Sequence, residues 1–198
     1  MTNRSRVDIL NINFFDWDGK RQFAGGAERY VMNLAALCRA RGLTPRLLQN
    51  AHAAFHRHVD GIEVIGVAAA SSIDFPAISR AMSAHVAGAA LVIASPVELA
   101  CELTTDAPII GINHGIWWDD PARQDITDTR GREALFYALA RAAITVGVDT
   151  NFYNWTRAVG AANVGRIEVV PNFVDLDKFA GVAKQFDGDL EFLFPRRL

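Results

Sequence analysis

The sequence predicts an open, doubly wound α/β sheet, and two observations carry that reading. Apolar runs of strand length, such as 89–94 and 109–112, lack polar alternation, as parallel strands covered on both faces do. Between them lie stretches with helical spacing, so strand and helix alternate along the chain. Such alternation gives a Rossmann-like domain of about seven strands, with helices on both faces of the sheet.

The first strand is expected at 7–15, rich in Ile and Phe, and a loop over 16–26 carries Gly19, Gly25 and Gly26 as turn signals. The clearest helix follows. Ala27, Tyr30, Val31, Leu34, Ala35 and Cys38 recur at helical spacing, Glu28, Arg29, Arg39 and Arg41 fall outside that stripe, and Gly42 ends it. Short strands are expected at 43–48 and 62–67, then a helix over 75–87 and a strand over 89–94. A short helix at 98–103 precedes a strand at 109–112 that opens into His114-Gly115. Next come a helix at 129–141 and a strand at 143–146. Asp149 or Thr150 then caps a helix reaching about Val159, and a last strand at 166–170 ends at Pro171. Residues 1–180 thus form one domain. Residues 181–198 read as a polar linker with Gly181 and Gly188, then a new strand at 190–194, the expected start of a second, truncated domain.

With 51% hydrophobic and 21% charged residues, the 198-residue chain can bury a core and is not disordered. A formal net charge of −2 gives no electrostatic reason to expect nucleic acid or an anionic membrane as a general partner. Residues 1–7 are polar, with no signal-peptide core. No run approaches the roughly 20 apolar residues of a membrane span. A soluble, cytoplasmic protein is expected. Cys38 and Cys101 sit in apolar, helix-like stretches and read as small buried hydrophobes.

Ligands of parallel sheets bind beyond the carboxyl ends of the strands, and two loops there carry chemistry. In Gly25-Gly26-Ala27-Glu28, two glycines permit close approach to the backbone, and a helix N-terminus supplies unpaired N–H groups suited to a diphosphate. The dinucleotide fingerprint is absent, which disfavours NAD. In the second loop, Asn113 and His114-Gly115 are followed by Trp117, Trp118, Asp119 and Asp120. The tryptophans could stack on a sugar face and the aspartates accept from its hydroxyls, while His114 could donate to phosphate or hydroxyl or act as a base. The alternative is a histidine that ties down a loop above packed tryptophans. His52, His56 and His58 flank Arg57 without a completing carboxylate or thiolate pattern and read as a solvated connector. His85 reads as a helix-surface residue, and Arg39, Arg41 and Arg46 as a loose, solvated basic cluster.

Three segments together resemble a known family. Gly25-Gly26-Ala27-Glu28-Arg29, with Asn33-Leu34-Ala35 and Arg41-Gly42, resembles the first helix of family-4-type glycosyltransferases of the GT-B fold. The stretch Ile167-Glu168-Val169-Val170-Pro171-Asn172, with Val174-Asp175 and Phe179, is similar to the segment closing their first domain. Phe192-Leu193-Phe194-Pro195-Arg196-Arg197-Leu198 looks like the opening strand of their second. The resemblance implies the acceptor-side half of a retaining transferase that moves a sugar from a nucleotide-diphosphate donor to an acceptor. It implies donor phosphate at Gly25, Gly26 and Arg197, the transferred sugar at His114, and no metal or other cofactor. Phe173 and Arg196 stand where that family usually has glycine. The family's nucleotide pocket belongs to the second domain, so the chain alone is expected to be inactive. A lipid-linked acceptor would add a peripheral membrane contact. The competing readings are a GT-B-like nucleotide-sugar epimerase and a glycan-binding or catalytically degenerate module, since fold does not fix function.

Overall fold

The computed structural model describes residues 5–69, 74–115, 129–160 and 164–172. The chain runs β1 (Arg6–Asn11), α1 (Gly26–Ala40), β2 (Thr44–Ala51), β3 (Phe55–Val59), β4 (Ile62–Ala68), α2 (Phe75–Val86) and β5 (Leu91–Ser95). A 3-10 turn (Val97–Ala100) leads to β6 (Ile109–Asn113), α3 (Thr129–Arg141), β7 (Ile144–Gly147), α4 (Thr150–Ala158) and β8 (Arg166–Val169). The strands form one sheet in the order β3-β4-β2-β1-β5-β6-β7-β8. Every pairing is parallel except that of β3 with β4. From β1 the chain moves outward to β2 and β4, then returns to lay β5 on the other side of β1. The strand order therefore reverses between β1 and β5, where sheets of this class open a crevice for ligands.

Strand alternation divides the core in two. On one face Val7, Ile9, Leu47, Ile93 and Ile112 pack with the α1 residues Val31, Ala35 and Cys38. On the other, Leu10, Leu48, Val92 and Ala94 pack with Ile78, Met82 and Val86 of α2, the 3-10 turn, and Leu135 and Leu139 of α3. Cys38 and Cys101 are free and buried, and burial pushes the Cys101 thiol up to about 11. Gly42, with φ +71°, turns the chain out of α1. Asp149 caps α4, its Oδ1 accepting from Asn151 N at 2.9 Å and Phe152 N at 3.2 Å. No helix among the described residues is long and apolar enough to cross a membrane.

Several sequence expectations need correction. The described sheet has eight strands rather than about seven, because the histidine-bearing connector forms β3. An Asp60-Gly61 turn, with φ of +48° and +73°, closes the β3–β4 hairpin; both values suit the tight hairpin turn. His56 and His58 lie on the exposed edge, and His56 Nε2 meets Glu63 Oε1 at 2.8 Å. Among the described residues, no three His, Cys, Asp or Glu side chains gather as metal ligands. The first strand stops at Asn11, since Phe14 and Phe15 leave the sheet and bond to Gln49 instead. The helix expected at 98–103 is a single 3-10 turn, whose Val97 occupies the space a side chain at Gly111 would need. Arg46 is not a solvated charge: its guanidinium grips the fully buried Asp8 through two hydrogen bonds.

Candidate ligand site at the carboxyl edge of the sheet

The apolar columns beneath α1 end in polar residues. Strand alternation carries Ile9 to Asn11, Leu47 to Gln49, Ile93 to Ser95 and Ile112 to His114, all on the α1 side. Asn11 pairs in register with both Gln49 and Ser95, so these side chains form one row across the switch point. Gln49 is fully buried and serves the loop after β1. Its Oε1 accepts from Phe14 N at 3.0 Å and Phe15 N at 2.7 Å, and its Nε2 donates to Phe15 O at 3.2 Å. The buried Asn11 accepts from Ile12 N at 2.8 Å through Oδ1, while its Nδ2 has no hydrogen-bond partner among the described residues.

His114 stands just beyond β6. Its Nε2 lies 2.8 Å from Ser95 Oγ. The Tyr30 ring meets it edge to face, with centroids 5.1 Å apart and planes at 86°. Below it, Asn113 Oδ1 accepts from Gly115 N at 3.0 Å, and Gly115 has φ +120°, a conformation that favours glycine. His114 keeps an exposed side, while the chain packed around the ring pushes its pKa below the ordinary histidine value. Burial of part of the ring therefore favours the neutral imidazole. Burial also raises the Tyr30 phenol.

Tyr30 sits one helical turn beyond Gly26, so the ring contact brings the start of α1 to the edge that His114 occupies. Gly25 is the N-cap, and among the described residues no side chain caps the helix. Gly26 is exposed, and a Cβ built on it meets nothing within 4 Å. The first N–H groups of α1 thus remain available to an anion, with the helix dipole behind them. Gly26→Leu tests this loop. The substitution meets no atom of the fold and removes a glycine from a helix end, so thermal stability is expected to hold. If this loop receives a donor diphosphate, affinity of the full gene product in a nucleotide-sugar titration falls about tenfold, roughly 1.4 kcal/mol. Unaltered affinity would remove Gly25-Gly26 from the site.

The structure brings His114 to the same sheet edge as Gly25 and Gly26. Trp117, Trp118, Asp119, Asp120 and Arg197 lie outside the described residues. Tyr30, Ser95 and Asn11 are site residues that sequence reasoning missed. Tyr30 belonged to the apolar stripe of α1, and Ser95 and Asn11 are polar endings of buried strands, a signal visible once strand ends are fixed.

No curated protein sequence matches the chain. Among solved structures it is similar to sucrose-phosphate synthase from Thermosynechococcus elongatus, with 13% identity, a TM-score of 0.65, and coverage of 88% of this chain and 49% of that one. It is also similar to Anabaena HepE, whose structure is a complex with UDP-glucose. There the identity is 16% and the TM-score 0.53, over 87% of this chain and 45% of that one. The chain spans about half the length of both proteins, and the likeness is one of fold. The model of Glycosyltransferase Family 4 matches residues 24–178, a span that opens just before the glycine pair, takes in His114 and passes the last described strand. A Rossmann-like sheet with an open glycine helix start and a histidine at its carboxyl edge, matched over most of its length, places the chain in glycosyltransferase family 4.

Proposed function

We propose that this chain is the N-terminal, acceptor-side domain of a retaining glycosyltransferase that moves a sugar from a nucleotide-diphosphate donor to a glycan or lipid-linked acceptor. The observation that carries the proposal is the shared edge of His114 and the uncapped α1 start at Gly25-Gly26. In this reading the donor diphosphate rests against the α1 N–H groups, where charge developing on the leaving group is stabilised without a metal. Arg197 adds a cation to that phosphate. His114 contacts the transferred sugar, and Trp117, Trp118, Asp119 and Asp120 hold the acceptor. The UDP-glucose bound to Anabaena HepE, a protein of the same fold, supports a nucleotide sugar as the donor class. The setting is cell-envelope polysaccharide assembly in the cytoplasm, at the inner face of the membrane. Nucleotide binding itself is assigned to a second domain, so residues 1–198 should not turn over donor alone.

The test compares residues 1–198 with the full product of the gene for nucleotide-sugar binding and hydrolysis, using a panel of UDP- and GDP-sugars. Binding and turnover by the full product alone is the expected result. Glycan binding without any response to a nucleotide sugar would replace the enzyme with a binding module.

A further inference from the structure

We propose that Ser95 is a positioning residue: its hydroxyl donates to Nε2 of His114, so that the neutral ring carries its proton on Nδ1 and presents that N–H to a ligand oxygen. The ligand half of this statement rests on the donor reading above; the tautomer half does not. Ser95 is 2% exposed, and among the described residues its hydroxyl meets one side-chain partner, His114 Nε2, at 2.8 Å. A buried hydroxyl places its proton on an acceptor when one is in reach. Nε2 is that acceptor, and a neutral imidazole accepting through one nitrogen donates through the other. Nδ1 has no hydrogen-bond partner among the described residues, so it is the nitrogen left for an incoming phosphate or hydroxyl oxygen.

The neighbouring elements fix this arrangement. Ser95 ends β5 and is held in register beside Asn11 of β1, so its Oγ has little freedom to follow a moving ring. Tyr30 from α1 closes one approach edge to face, which restricts rotation about the histidine side chain. Among the described residues, the Tyr30 phenol from α1 and the Asp149 carboxylate from the β7–α4 turn face this region. Asp149 Oδ2 lies 3.6 Å from where a Cβ on Gly115 would stand, while its Oδ1 caps α4. Protonating Nε2 would force the serine hydroxyl to reverse from donor to acceptor. The contact therefore selects which tautomer the neutral ring adopts, while burial alone lowers the histidine pKa.

Nitrogen-15 NMR of histidine-labelled protein reads this without any ligand. In the wild type, His114 should show an unprotonated Nε2 and a protonated Nδ1 at neutral pH. Ser95→Ala should mix the tautomers, because the donor that selects one of them is gone. Ser95→Thr keeps the hydroxyl and should restore the single tautomer. In the full gene product, Ser95→Ala should lower kcat about tenfold with donor affinity little changed, and Ser95→Thr should recover most of it. A wild-type ring protonated at Nε2, or an unchanged tautomer in Ser95→Ala, overturns the assignment. A wild-type protein that turns over no nucleotide sugar overturns the donor reading instead, while the tautomer result still supports the role of Ser95.

Discussion

Replacing His114 by alanine in the full gene product is expected to lower turnover about a hundredfold, at the lower end of what a positioned proton-transfer or donor group contributes. Donor binding should weaken far less. The reasoning starts from the site's construction: the ring is fixed by Ser95 on one side and Tyr30 on another, and it stands where the sheet opens rather than inside the core. A group held so firmly yet kept partly exposed suits an interaction that strengthens in the transition state. Losing such an interaction lowers kcat and kcat/KM together. Steady-state kinetics alongside calorimetric donor titration separates the two quantities. Unchanged turnover would restore the reading in which His114 only ties down its loop.

The same ring sets a pH dependence. Burial pushes the His114 pKa below its ordinary value of 6.5. If the neutral ring is the working form, activity is flat through neutral pH and falls on acidification only below that ordinary value. In His114→Ala this acid limb should vanish. Stability follows the same sign. Between the unfolded and the lowered folded pKa, the unfolded chain binds more protons, so stability is full above about 6.5 and declines as pH falls through that window.

The parts of the fold that were legible in sequence are those where one physical signal acts alone. The α1 stripe at Val31, Ala35 and Cys38 and the apolar runs that open β5 and β6 are set by burial, and burial is written directly into residue type; the start of the stripe differs, with Ala27 exposed and Glu28 buried in its place. Edge elements were harder. In β3, three exposed polar residues between Phe55 and Val59 look like a solvated loop, and only the Asp60-Gly61 turn signals a hairpin. The site was half legible for a related reason. Gly25-Gly26 and His114 declare themselves by residue type and by their place after a strand. Ser95, Asn11 and Tyr30 acquire their meaning from neighbours 19, 38 and 84 positions away or more, through a strand order that no local pattern encodes. Arg46 shows the same limit. Its partner Asp8 is 38 residues distant, and only the β1–β2 register brings them together.

That pair supplies the largest expected effect on stability. Asp8 is fully buried on the α2 side of β1 and accepts from Arg46 Nε at 2.9 Å and Nη2 at 3.1 Å, with Arg6 Nη2 at 3.2 Å. The two arginines reach onward to the end of α2, Arg46 donating to His85 O and Arg6 to Ala87 O, each at 2.6 Å. One carboxylate therefore pairs with two cations that tie β1 and β2 to the last turn of a helix, where the dipole also favours positive charge. Asp8→Ala removes the only acid of the cluster and leaves both guanidinium groups, whose side chains are 15% and 21% exposed, without their counter-charge. Breaking a buried pair from one side costs about 3–5 kcal/mol. For a domain of this size, 3 kcal/mol corresponds to a Tm lower by roughly 6–12 °C. Adding Arg46→Met should recover part of that loss, since it removes one of the two cations left without a counter-charge. Calorimetry of the single and double variants decides the matter. A single-variant loss below about 1 kcal/mol would show that the arginines behave as screened surface charges. Because Asp8 points to the α2 side while Asn11, Ser95 and His114 lie on the α1 side, the folded fraction of Asp8→Ala should keep the His114 tautomer unchanged. Stability and site chemistry are then separable on opposite faces of the same strand.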